Sequence, residues 1–311
     1  MATIDVARRR APASLLAASL AVTARRLGEV WAEIRRSPTA LVGLGILIFF
    51  VAIALFAPLL AHYPPLARVS ESCNPICPGS PPSSQFPLGT SSRNADIYSE
   101  VIWGTQISLF VGILSAIVAS VVGTTVGLIS GFAGGWIDEV VMRFNDIVLS
   151  IPWLVLMIIV AALIGTIDVA GLILVIGLTG WSLTARVIRA QVLSVKERMF
   201  VERARMIGSS NLHLLWRHIF PNAFPLIFAN TILTVAVSIL SESVLAFLGL
   251  STPDHVSWGK IISEAYENHA ILNGNALWIV VPGLCIVVLV FGFYLFGYAL
   301  DEILNPRLRR R

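Results

Sequence analysis

Charge is what this chain has least of. Asp, Glu, Lys and Arg make up 13% of its 311 residues, about half the share found in an ordinary soluble domain. With 56% apolar residues and a mean hydropathy of +0.82, the composition belongs in a bilayer rather than in water. Cysteine is scarce as well, and three residues exclude a disulfide scaffold. The chain has no "GxxxxGK[ST]" phosphate loop, and Lys260, the only lysine that follows a glycine, stands outside any such pattern. No Ser, His and Asp set and no paired carboxylates occupy the apolar runs, which argues against an intramembrane enzyme. His213 and His218 are five residues apart, hence on different faces of a helix, and make no metal pair. Internal repeats are absent, and no segment is long and polar enough to form a soluble domain.

What the chain does have is long uncharged runs, and about 20 such residues cross the hydrocarbon as a helix. Residues 40–61, 107–137 and 147–167 carry no charge at all. A fourth run follows Asp168 and ends near Ala185, a fifth extends from Asn222 to Leu250 with Glu242 inside it, and a sixth covers Ala276 to Leu300. Six spans leave both termini on one side, and cationic flanks are retained in the cytoplasm. All but three of the 22 Lys and Arg agree with cytoplasmic termini; the exceptions are Arg68, Arg93 and Lys260. The net charge of +4 is therefore a topology signal and calls for no nucleic-acid partner. The expected division is an N-terminal cytoplasmic amphipathic helix (1–39), a first transmembrane helix (40–62) and an extracytoplasmic loop (63–105). A five-helix core (106–300) with a cytoplasmic segment (186–221) and an outer loop (251–275) follows, and a basic tail (301–311) ends the chain.

Several residues admit more than one reading. Leu16, Leu20, Leu27, Val30, Trp31 and Ile34 recur at helical spacing, as in an amphipathic helix on the inner membrane surface. A signal peptide beginning at Arg8 to Arg10 is the competing reading, weakened by a stripe that runs past any cleavage point. Cys73 and Cys77, in a Pro-rich outer loop, fit a local disulfide, free thiols, or a metal site for which no ligand cluster is at hand. Glu242 must face protein or water, because a charge at mid-bilayer costs about 2.5 to 3.5 kcal/mol on insertion scales. A hydrogen bond to a neighbouring helix, the lining of a transport pathway and a solvated position near the outer surface all satisfy that requirement. Asn145 and Asp146 read as interfacial anchors, and Pro152 and Pro282 as helix kinks.

The exception to the apolar pattern is residues 202–221, "ERARMIGSSNLHLLWRHIFP". Good helix formers lead to Gly208, which suits a left-handed helix end, and Ser209, Ser210 and Asn211 suit the cap of a second helix that stops at Pro221. Phe200, Ala204 and Ile207 fall on one narrow face. Such a helix, turn and helix fits a groove in another protein; equally, it fits a solvated loop in which Glu202 pairs with Arg198 and Arg205.

Glu202, Ala204, Gly208 and Pro221 reproduce the spacing of the "EAA" signature, a Glu-Ala-Ala triplet followed by Gly and then Pro. The segment resembles that of permease subunits of binding-protein-dependent ABC importers. "FPLGT", "GGWIDEVVMRFNDIVLSIP", "SESVLAFLGL", "SWGKII" and "LDEILNPRLRRR" resemble the C-type permease of dipeptide and oligopeptide importers, so the likeness runs from about Arg35 to Arg311. Departures from the pattern are Arg203 in place of an alanine, Phe220 in place of a usual Leu, "SSRNAD" after "FPLGT", and Tyr294 and Tyr298 near the last helix. The resemblance implies an all-α membrane protein of six transmembrane helices with the ABC type I importer permease fold. It also implies a coupling helix at 199–208 seated in an ATPase cleft, with Glu202 accepting hydrogen bonds or a salt bridge, Ala204 packed closely and Gly208 giving the turn. The implied partners are a second homologous permease (a heterodimer), two cytosolic ATP-binding subunits that carry ATP and Mg, an extracytoplasmic solute-binding protein and a peptide substrate; no cofactor binds this chain. Nickel or another small solute is an alternative cargo. An ion-coupled secondary transporter would need ionisable residues or broken helices near mid-membrane, where Glu242 stands almost alone.

Overall fold

The computed structural model describes residues 28–68 and 80–304, and these are helical apart from loops and two isolated bridges. Helix α1 (residues 28–36) is the described end of the amphipathic N-terminal segment. Its Ile34 turns inward against Ala40, Ala299 and Leu300, while Trp31 stays exposed. Leu16, Leu20, Leu27, Cys73 and Cys77 lie outside the described residues. Ser37 caps α2 (Pro38–Leu55) by accepting from the Ala40 N–H, and Pro38 occupies the first turn, where its missing N–H is not required. A single turn, α3 (Ala57–Leu60), follows.

The spine of the bundle is α4 (Ile97–Ala133), 37 residues long. At 1.5 Å per residue it extends about 55 Å, well beyond the hydrocarbon thickness. Asp96 starts it by accepting from the Tyr98 and Ser99 N–H groups. The second span thus begins at Ile97, inside the stretch expected to be outer loop. Nothing between Gly104 and Ile107 breaks the ladder, and Trp103 is anchored by donating from Nε1 to the Tyr63 carbonyl at 3.0 Å.

Two spans bend. α5 (Gly135–Ser150) and α6 (Trp153–Ile164) meet at 84°, so the uncharged run at 147–167 is not one straight helix. Pro152 explains the break: it has no N–H to continue α5, and it biases Ile151 to extended backbone, observed at φ −87°, ψ 126°. α7 (Val169–Thr179) and α8 (Trp181–Lys196) meet at 44° beside Gly180. Among the described residues four helices are long and apolar enough to cross a membrane, or up to six if each bent pair is one span. α8 lies against the inner half of α4. A Cβ on Gly127 would stand 2.6 Å from the Ala185 carbonyl oxygen, so only glycine lets the two backbones approach this closely.

After α8 come α9 (Met199–Met206), α10 (Asn211–Leu214), a π turn at Leu215–Ile219 and α11 (Phe220–Phe247). The helix expected to stop at Pro221 therefore continues through it. In a regular α-helix the Pro221 ring would collide with the Arg217 carbonyl; the wider π turn relieves that clash. The Asn222 side chain donates to the His218 carbonyl at 2.7 Å. On the outer side, α12 (Trp258–Glu267) packs against α11 and α13, and α13 (Leu277–Leu304) runs through Pro282 as one helix.

Candidate coupling segment and transport recess

α9 is short and divided between two environments. Val201 and Ala204 turn inward to Val192, Val195, Leu214 and Ile219, whereas Glu202, Arg203 and Arg205 face solvent. The expected common stripe of Phe200, Ala204 and Ile207 does not form: Ala204 is 6% exposed and Ile207 84%. The reason is local. Ile207 is the C-cap, past the last helical turn, so its side chain leaves the face that Ala204 occupies.

The turn itself is a Schellman motif. The Gly208 N–H donates to the Arg205 carbonyl at 3.0 Å and the Ser209 N–H to the Ala204 carbonyl at 3.1 Å. Gly208 sits at φ +87° with open space around it, so conformation and not crowding requires glycine. Ser210 then caps α10 by accepting from the His213 N–H at 3.4 Å. Pro221 lies beyond this unit, in the first turn of α11.

Among the described residues Glu202 makes no ion pair with Arg198 or Arg205. The inner surface of the segment thus mixes unpaired charges with exposed Met199, Phe200, Met206, Ile207, Leu212 and Trp216. Lipid would not accept the charges and water would not favour the apolar groups. A protein groove accepts both.

A recess of about 400 Å³ opens where the two bent spans meet α11 and α13. Ile151, Pro152 and Trp153 form one rim, Thr179 and Gly180 another, and Asn230, Thr234 and Tyr294 face them. None of its lining residues is charged. Trp153 donates from Nε1 to Thr179 Oγ1 at 3.2 Å, and Asn230 from Nδ2 to Thr184 Oγ1 at 3.1 Å, so the polar groups are held in place. The wall is apolar with a few fixed hydroxyl and amide groups, as in sites that receive small organic molecules.

Glu242 is not part of the recess. It is 1% exposed near the outer end of α11 and accepts from Ser108 Oγ of α4 at 3.1 Å, with Ser243 Oγ at 3.5 Å. Asn145, expected at the interface, is fully buried, while Asp146 accepts from Arg186 Nη2 at 2.6 Å. Sequence reasoning missed the recess and the α5–α8 ion pairs, whose members are separated by 40 and 51 residues. The usable signal was that Asp138 and Asp146, two turns apart, share a face of α5.

The charged outer stretch "SSRNAD" also acquires a role. Arg93 bridges Glu264 of α12 at 2.5 Å and Glu100 of α4 at 3.7 Å. Burial pushes the Glu264 carboxyl up from its ordinary range, and Arg93 pulls it partly back. Burial likewise lowers the Lys260 ammonium.

Among the described residues the fold is a helical bundle with two bent helix pairs and a helix-turn-helix protrusion, the architecture of a multi-pass membrane protein. Residues 123–310 match the family model described as binding-protein-dependent transport system inner membrane component, and residues 26–74 match the N-terminal transmembrane domain of oligopeptide transport permease C. The chain belongs to this family of non-catalytic, multi-pass components of the cytoplasmic membrane, in systems that depend on a separate binding protein. It is 29% identical to a dipeptide transport system permease protein of Bacillus subtilis, over 91% of this chain and 86% of that one. Identity reaches 36% with a probable peptide ABC transporter permease protein of Sinorhizobium fredii, over 89% of this chain and 92% of the relative. With a glutathione transport system permease protein of Escherichia coli it is 32%, over 90% of each. The fold resembles that of a chain of the inward-facing MetNI methionine ABC transporter, with a TM-score of 0.54 and 19% identity over 68% of this chain and 97% of that one.

Proposed function

We propose that this chain is the permease subunit of an ATP-driven importer of peptides, and that α9 and its Schellman turn are the segment through which ATPase subunits drive it. The observation that carries the reading is the exposed mixture of unpaired charge and apolar side chains at the cytoplasmic end of an otherwise membrane-adapted bundle. Phe200, Glu202, Arg203 and Ile207 offer the contacts, Ala204 holds the helix to the bundle, and Gly208 fixes the turn. Two cytosolic ATP-binding subunits handle ATP and Mg, since no phosphate loop is encoded here. A homologous permease completes the pore as a heterodimer, and an extracytoplasmic receptor delivers cargo.

Peptide cargo is supported by the peptide transport of the relatives and by the recess, whose neutral hydroxyl and amide groups suit main-chain amides. The test is uptake of labelled dialanine and trialanine into proteoliposomes holding the complete transporter. ATP-dependent uptake that Glu202→Arg abolishes, with the subunits still assembled, is the expected result. Uptake that survives removal of ATP, or that follows an ion gradient instead, overturns the reading.

A further inference from the structure

α5 is an unusual helix for a packed bundle. Of its sixteen residues only Asn145 is buried, and Trp136, Val140, Phe144 and Ile147 point outward. Apolar burial therefore does little to hold α5 against the rest of the molecule. Its attachment to α8 is largely polar. Arg189 of α8 grips Asp138 with two parallel hydrogen bonds, Nε to Oδ1 and Nη2 to Oδ2, each 2.6 Å long. Arg186, one turn earlier, donates to Asp146 at 2.6 Å, and Trp181 stacks on Phe144 at 6.4 Å. A bidentate Arg–carboxylate pair fixes orientation as well as distance.

The two ends of this linkage lie at opposite ends of the proposed transport step. α8 leads directly to α9, and its Val192 and Val195 share a cluster with Val201 and Ala204. α5 ends at Ile151 and Pro152, which rim the recess. We infer that Arg189 and Arg186 are positioning residues that carry displacement of the coupling segment into α5 and from there to the rim of the recess. The inference rests on the reading of α9 as the ATPase contact. Arg143 and Glu139 supply an internal control: they pair with each other on the exposed side of α5, at 3.9 Å, and make no link to α8.

The assembled transporter tests this by hydrogen exchange at residues 135–150, measured with and without a non-hydrolysable ATP analogue and Mg. In the native protein the nucleotide is expected to change α5 exchange roughly tenfold, within the range of coupling between linked sites. Asp138→Asn and Arg189→Gln are expected to abolish that response while α9 keeps its own. The exchanged pair, Asp138→Arg with Arg189→Asp, should recover part of it, and Glu139→Gln should leave it intact. Three results overturn the inference: an α5 response unchanged in the single variants, a response lost equally in Glu139→Gln, or single variants that fail to assemble and are not rescued by the exchanged pair. ATP-driven uptake, followed in the same vesicles, keeps the two proposals apart. Native uptake with an unchanged α5 response in the variants sinks only the linkage, whereas absence of native uptake sinks the transport reading beneath it.

Discussion

The outer helix α12 and the inner helix α9 treat their charges in opposite ways. Around α12, Arg93, Trp258 and Ser263 meet groups of the same chain, while one carboxylate oxygen of Glu264 is left without a hydrogen bond. Arg93 spans two helices to reach Glu264 and Glu100, Trp258 Nε1 donates to the Val101 carbonyl at 3.0 Å, and Ser263 closes on the Phe247 carbonyl at 2.7 Å. The inner end leaves Glu202, Arg203 and Arg205 exposed among bare apolar side chains. A surface that is satisfied internally serves the fold, and one that is left unsatisfied serves a partner. The comparison separates charges held within the chain at α12 from charges left exposed at α9, the segment proposed above as the ATPase contact.

Substitutions can break that contrast. The largest loss of stability is expected from Trp258→Ala, because Trp258 is fully buried and packs edge-on against Phe50 at 5.6 Å. Truncating such a side chain costs about 3–5 kcal/mol, to be read as a fall in the thermal midpoint of the purified protein. Gly208→Val comes next, at about 1–2 kcal/mol for a side chain forced into left-handed backbone. Its fall in uptake should exceed what that loss of folded protein explains. Glu202→Gln should leave stability within about 0.5 kcal/mol, as an exposed substitution does, yet reduce transport per ATP hydrolysed. A stability loss at Glu202 as large as at Trp258 would remove the distinction between the ends.

The smallest effect concerns acidity. Burial raises the Glu264 carboxyl, so the folded state favours its protonated form. The sign follows: the stabilising contribution is full below the ordinary carboxylate range and is lost as pH climbs through the raised value. Glu264→Gln should flatten the rise in thermal midpoint expected on acidifying the outer face. An unchanged slope in that variant would assign the pH dependence to other groups.

How much of this was legible beforehand depended on distance along the chain. The spans were readable because a run such as residues 40–61 has no other economical home than lipid. Their bends were not, since an uncharged run carries no direction, and Pro152 was the single pointer. The segment around α9 stood out as polar sequence between apolar neighbours, and its left-handed Gly208 followed from residue type alone. The inward turn of Ala204 did not, because a helix of eight residues has too few turns for a stripe to decide which side is covered. The recess was invisible for a different reason. Its walls come from residues between 119 and 294, each a plausible occupant of any span, and only folding brings Trp153, Thr179 and Asn230 around one space.

The π turn at Leu215–Ile219 sets the angular phase of everything after it. A helix advances about 100° per residue, and a π turn is in effect one inserted residue. Deleting any one position there would restore a regular ladder, return the Pro221 ring to its collision, and rotate Asn230 and Thr234 away from the cavity they face. The wide turn therefore works as a register key, fixing the rotation of α11 relative to α9 and α10.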